Sequence, residues 1–306
     1  MAREQLGICA EANLHGSYLL LNALEGHERV LRSKLARLPQ LFDRLAEHFS
    51  EALLSGVVAI GSNYWDLLYP DARPAGLNAF ADFSAADIEL AAVPVDFLIQ
   101  IRSDRLDVNI ITCQQVLQML QGHVEVQELL QGFRYLDGRN LTGFIDVPWN
   151  PKARRRRQVS LIDALAQPVF AAGSYLYMQQ LVFDHASWNQ LTLIEQEDIM
   201  GFDKVHAKPL DSSRILPDSH RLMMQPLADV PDILMQNMPS YQLKQQGLIQ
   251  LAYAASAQAL YSQLSHRVGM SSASVGHDLL LNYHRIELSA AFFAPSISFL
   301  ELAAKA

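Results

Sequence analysis

The sequence predicts an α+β protein in which one β-α-β-β-α-β unit is used twice, with antiparallel sheets packed against helices. Three observations predict it. Short apolar runs alternate with longer segments of helical period in both halves of the 306 residues. The first strand of each half opens on the same letters, Gly16-Ser17-Tyr18-Leu19 and Gly173-Ser174-Tyr175-Leu176. Between the halves, residues 137–168 are rich in Arg, Asn, Gly and Pro and read as a long loop, and loops of that length are usually functional.

In the first half, Ser17–Ala23 reads as a strand. Glu28–Ser50 follows with helical spacing, placing Val30, Leu31, Leu35, Leu38, Leu41, Leu45 and Phe49 along one side. Pro39 interrupts this run and predicts a kink or a break, because proline has no N–H for the helical ladder. Gly56–Gly61 and Val95–Ile101 are strands, Asp104–Gln121 is a helix and Glu125–Phe133 a closing strand. That order is the split ferredoxin-like unit.

The second half repeats it. Gly173–Phe183 is a strand and His185–Met200 a helix. A strand falls within Leu222–Met238, another at Gly247–Ala254, and Ser256–Val268 is a helix. Leu288–Ile297, free of Lys and Arg, completes a second sheet. The expected division is therefore 1–136, 137–168 and 169–306.

Composition narrows the function. Half the residues are hydrophobic, enough for one large core or two smaller ones. The net charge of −8 argues against nucleic acid, since phosphate binding needs a basic face. Cys9 and Cys113 form neither a CxxC pair nor a disulfide framework, which suits a reducing compartment. Residues 1–11 carry charges and no apolar signal core, and no stretch of about 20 apolar residues occurs. The expectation is a cytoplasmic protein with no membrane partner.

Several catalytic signatures are missing. There is no GxGxxG, GxxxxGK[ST], GxSxG or HExxH, so hydride transfer, phosphoryl transfer and the common hydrolase elbow lack support. His277 and His284, seven apart, are a weak metal-ligand pair. Arg154–Arg157 reads either as a solvated loop or as a positive rim facing an acidic group. Met223, Met224, Met235 and Met238 suit an irregular core. Trp149 reads as a space-filler or a gate.

One segment carries more. Gly132-Phe133-Arg134 leads into Asp137-Gly138-Arg139-Asn140-Leu141-Thr142-Gly143-Phe144-Ile145-Asp146-Val147-Pro148-Trp149-Asn150-Pro151. This resembles the signature of the DyP-type (dye-decolourising) haem peroxidases, a GFR strand followed by D-L-T-G-F-x-D-G-T-x-N-P. Further segments agree in order along nearly the whole chain: Gln5–Glu11, Ala59–Trp65, Gly173–Tyr175, Gln196–Gly201, Ser219-His220 and Phe293–Ser296.

The resemblance implies a chlorite-dismutase/DyP-like fold and haem b between the halves. It implies His220 as the iron ligand, with Asp278 as the acid that orients the imidazole. It implies Asp146 as the distal acid that moves protons of hydrogen peroxide, and Asn237 as its neighbour. The reaction implied is peroxide-dependent oxidation of a bulky aromatic or phenolic donor, in a homo-oligomer.

The chain also departs from that pattern. Met235 stands where the family has its distal arginine, and Val147 where it has the glycine after the motif aspartate. Phe202 replaces the arginine of an I-G-R segment, and Met223 a basic residue three after the ligand histidine. A β-branched residue cannot take positive φ cheaply, so Val147 is expected to keep the loop from a flat ligand. Three readings stay open: a peroxidase impaired by the loss of the arginine, a haem binder with little turnover in which Met235 fills space or ligates iron, and a haem-free scaffold.

Overall fold

A computed structural model describes residues 2–80, 83, 88–226, 232–242, 245–272 and 274–305. The first half contains β1 (His15–Ala23), α1 (Glu28–His48), β2 (Ser55–Gly61), α2 (Trp65–Leu68), β3 (Leu90–Ala92), β4 (Phe97–Ser103), α3 (Leu106–Leu120) and β5 (Val124–Phe133). α4 (Arg154–Ser160) lies between the halves. The second half contains β6 (Ser174–Phe183), α5 (His185–Trp188), α6 (Leu193–Met200), α7 (His220–Met224), β7 (Leu234–Met235), β8 (Met238–Gln242), β9 (Gln245–Ala254), α8 (Ala257–Arg267), β10 (His284–Ala294) and α9 (Ile297–Ala303).

The strands run β5-β1-β4-β2-β10-β6-β9-β7, with β3 beside β10 and β8 beside β9. Leaving aside β3 and β8, each half orders its strands fourth, first, third, second, so the ferredoxin-like unit does occur twice. The expected second sheet is not separate, however. β10 pairs with β2 through Phe292 opposite Gly61 and Phe293 opposite Ile60, which joins the two sheets at one edge. All neighbours are antiparallel except β3 and β10.

The pleat explains why both halves are needed. Tyr18, Leu20, Val57, Ala59 and Leu98 share one core with Leu176, Met178, Ile249, Leu251 and Tyr253 from the second half. Their alternates Leu19, Leu21, Val58, Ile60, Ile99 and Ile101 pack instead with the apolar side of α1. With both faces covered, these strands read as continuous apolar runs.

Three expectations need correction. α1 runs through Pro39 as one element, held by a buried face that includes Leu31, Leu35, Leu38 and Pro39 itself, whereas Val30 is exposed. His185–Met200 is two helices, because Thr192 caps a new one: its hydroxyl accepts the Glu195 N–H while the Glu195 carboxylate accepts the Thr192 N–H. The strand expected within Leu222–Met238 is present as β7, after the end of α7, and residues 227–231 lie outside the described part. The arginine run is neither loop nor wholly solvated. It forms the start of α4, where Arg156 is buried, Arg155 pairs with Asp232 and Arg157 with Glu4.

Candidate active site

The site is built from the interhalf loop and the second half. His220 is the first residue of α7, behind Ser219 at the N-cap, and is 6% exposed. Its Nδ1 lies 2.8 Å from Asp278 Oδ2. An ionised carboxylate only accepts, so Nδ1 is the donor, and Nε2 points away from that carboxylate. Nε2 makes no hydrogen bond among the described residues.

Asp278 is held from three sides. Its Oδ1 accepts the Leu280 N–H at 3.0 Å, capping a single turn over Leu279–Tyr283. Its Oδ2 also accepts from Arg267 Nε at 3.0 Å. Arg267 ends α8 and is anchored by Gln250, whose Oε1 accepts from Nη1 at 2.7 Å. Burial alone would raise the Asp278 carboxyl, but His220 and Arg267 outweigh it and hold it well below the usual carboxylate range. Asp278 is thus both the helix cap its position suggests and the partner of His220.

A second acid is held differently. Asp146 Oδ2 accepts from Asn237 Nδ2 at 2.9 Å, while Oδ1 has only a long 3.5 Å contact with Asn140 Nδ2. Burial pushes this carboxyl above its ordinary value, more than Asn237 and the charge of His220 pull it down. The two acids are therefore separated in proton affinity, one locked as an anion and one able to carry a proton.

Between these groups the walls are apolar. Val147, Met224 and Met235 form one buried cluster, with Trp149, Ile233 and Ala252 packed on it. Asn150 ties the loop to β7, donating to the Met235 carbonyl at 2.8 Å and accepting its N–H at 3.0 Å. The Trp149 ring lies 6.0 Å from the His220 ring and 6.2 Å from Phe202. Phe202 in turn packs on Phe144 at 5.6 Å, so an aromatic cluster occupies the place expected for a cation. Two open lobes remain, of about 360 Å³ and about 280 Å³ with their mouths included, sharing Met224, Ile233, Met235 and Gln263 as walls.

The residues singled out by sequence thus gather in one region: His220 with Asp278, Asp146 with Asn237, and Val147 with Met235. Val147 does take a positive φ, 39°, against the expectation that a β-branched residue would avoid it. Among the described residues, the second half and its loop supply the walls of both lobes. His277 and His284 join no metal-binding group among the described residues. Arg267, Asn140 and Asn150 were missed. Asn150 had a signal, standing in the N-P end of the loop motif; Arg267 had none, being one more basic residue at a helix end.

His220 is the residue here that would hold a metal carried by an apolar ligand. One imidazole nitrogen is held by an anion, and a second buried acid, Asp146, stands near enough for the charge of His220 to act on it. The thioether of Met235 offers no charge to a neighbouring anion.

Fold and site together define an oxidoreductase of the DyP class. The chain belongs to the Dyp-type peroxidase family: the N-terminal family profile matches residues 5–134 and the C-terminal profile residues 137–299. It is similar to a putative Dyp-type peroxidase of Shewanella oneidensis, with 36% identity and a TM-score of 0.94 over 99% of both chains. It is 27% identical to the dye-decolorizing peroxidase of Mycolicibacterium paratuberculosis, over 93% of this chain and 81% of that one. A variant of DypB from Rhodococcus jostii, whose structure contains heme, is 26% identical with a TM-score of 0.89, covering 95% of this chain and 96% of that one. Among the described residues no helix is long and apolar enough to cross a membrane.

Proposed function

We propose that this chain is a haem-dependent peroxidase that uses hydrogen peroxide to oxidise a bulky aromatic or phenolic donor, slowed by the loss of its distal arginine. The observation that carries the reading is the His220–Asp278–Arg267 chain, with Nδ1 engaged at 2.8 Å and Nε2 left free. That is the arrangement an iron-bound imidazole needs. The apolar cluster of Val147, Met224 and Met235 suits a porphyrin face. Met224 and Met235, which separate the two lobes, would have to turn aside to admit a ligand of that size, and three rotatable side-chain bonds each make that motion open to them.

Haem b, when bound, supplies the iron that accepts oxidising equivalents from peroxide and passes them to the donor. The protein does the rest. Asp278 fixes the tautomer of His220 and makes its Nε2 more basic. Asp146 moves the proton: Asn237 holds Oδ2, so Oδ1 is the freer oxygen to accept a proton from peroxide and return it to the leaving oxygen. Met235, where the resemblance places an arginine, leaves the developing charge without a cation. Loss of one such contact costs about 10² to 10³ in rate, which slows a reaction without ending it.

The test is to purify the chain with haem supplied and record its absorption spectrum. A Soret band that disappears in His220→Ala, together with peroxide-dependent dye turnover, supports the reading. A haem-loaded protein without turnover would reduce it to a binder, and a folded protein that takes up no haem would overturn it.

A further inference from the structure

A second, more open cavity lies on the outer side of the Asp146–Asn237 pair, with a volume of about 1360 Å³ including its mouth. Unlike the apolar lobes it has walls from both halves. Arg102 comes from β4, Arg134 follows β5, Lys152 and Arg156 flank the start of α4, and Asp146 and Asn237 also line it.

Arg102 is the unusual member. Its side chain is only 2% exposed, yet no carboxylate comes within ion-pair distance of it among the described residues. Nη1 donates to Gln236 Oε1 at 2.8 Å, and Nε, which is sealed from solvent, has no partner. Gln236 cannot turn to help. Its Nε2 is fixed on the Gly7 and Ile8 carbonyls at 3.0 and 2.7 Å, and its Oε1 also accepts from Gln100. Buried charges in proteins are ordinarily paired, because an unpaired one forfeits its hydration. The edge left unused, Nε with Nη2, is the side that grips two oxygens of one carboxylate or phosphate.

The surroundings favour the same ligand. Arg134 and Lys152 are exposed and carry no ion pair among the described residues. The nearby acids are largely engaged: Asp137 by Arg139 at 2.8 Å, and Glu11 by Arg156 at 3.5 Å. Arg156 is itself buried and donates to the Cys9 and Ala10 carbonyls, adding charge without a free edge. A cation cluster in a chain of net charge −8 is a local concentration, and it focuses on this cavity.

We propose that this cavity binds a small organic oxyanion, a carboxylate or phosphate, gripped by the Nε/Nη2 edge of Arg102 beside the Asp146–Asn237 pair. The site stands whether or not haem is bound, so it is tested by binding alone.

The experiment is calorimetric titration of the full chain, with and without haem, using succinate and inorganic phosphate as probes and sodium chloride to match ionic strength. Saturable binding of one anion per chain by either probe is expected, and the probe that binds tells carboxylate from phosphate. Arg102→Lys keeps a charge but loses the fork and should bind roughly tenfold more weakly, the loss of one charge-assisted contact. Arg102→Met should abolish binding. Absence of saturable binding by both probes in the unaltered chain overturns the proposal, even if the Met variant fails to fold. Unchanged affinity in the Lys and Met variants overturns it as well.

Discussion

His220 and Asp278, 58 positions apart in the chain, meet at 2.8 Å, and Arg267 lies 3.0 Å from the same carboxylate oxygen. The three side chains come from α7, the end of α8 and the turn before β10, so the contact exists only when the second half is folded. Its energetics give the first prediction. Asp278 titrates lower in the folded chain than in the unfolded one. Its contribution is therefore complete above the unfolded value, about 4, and is lost as pH falls toward the folded value. Asp278→Asn should cost about 3–5 kcal/mol at neutral pH, because it strands buried Arg267. Urea unfolding at pH 7 and pH 3 checks this: the gap between the two proteins should narrow in acid. A gap that stays constant would exclude the ion pair as its cause.

Asp146 carries the opposite sign. Its folded value is raised, so the folded chain binds that proton more tightly than the unfolded chain does. Stability then falls as pH rises from the unfolded value to the folded one, and stays low above it. Asp146→Asn removes the buried charge while keeping the contact with Asn237. It should stabilise the protein at pH 7 while lowering peroxide turnover by about 10² to 10³, within the range for a lost general base. Thermal melts and steady-state dye oxidation on the same preparation read both effects. A variant that lost stability and kept its rate would remove Asp146 from the mechanism.

Met235→Arg tests what slows the reaction. The new guanidinium would face the region of Asp146, and turnover should rise by about 10² if charge stabilisation is what is missing. Rates measured at saturating peroxide decide it. If the rate does not change, the filled pocket rather than the absent charge is limiting.

Val147→Gly tests the filled pocket. Val147 holds φ at 39°, a conformation that costs a β-branched residue about 1–3 kcal/mol, and its side chain closes one wall of the cavity. Glycine removes both the strain and the wall. Haem titration followed at the Soret band should show several-fold tighter uptake than in the unaltered chain. Weaker uptake would mean that the valine contacts the ligand rather than excluding it.

Much of the site was legible in the residues themselves. The loop around Asp146 carries an ordered run of motif letters, and Ser219-His220 and Asp278 fall at matching places downstream. Local signals also set most strands, because short continuous apolar runs bounded by turn residues suit strands buried on both faces. Where the reading failed, a longer-range force decided. Pro39 did not break α1 because burial of its neighbours outweighed one missing hydrogen bond. Thr192 split a predicted helix because a capping box competes with continued helical spacing. Val147 took a positive φ because the loop is tied down elsewhere, by Asn150 on Met235 and by the Asp146 N–H on the Gly138 carbonyl at 3.0 Å.

By itself the sequence determined most element types and their repeated order, since these depend on periodicity and on residue type; the pairing of His220 with Asp278 was an expectation carried by the resemblance of its motifs. Only the tertiary structure decided that the two sheets join at β2 and β10, that the second half and its loop wall the apolar lobes among the described residues, that Arg267 completes the Asp278 pair and that Arg102 is buried without a counter-charge among the described residues. The physical reason is common to all four. Each is a matter of which side chains lose water together, and residues distant in the chain share that loss only once the fold has brought them into contact.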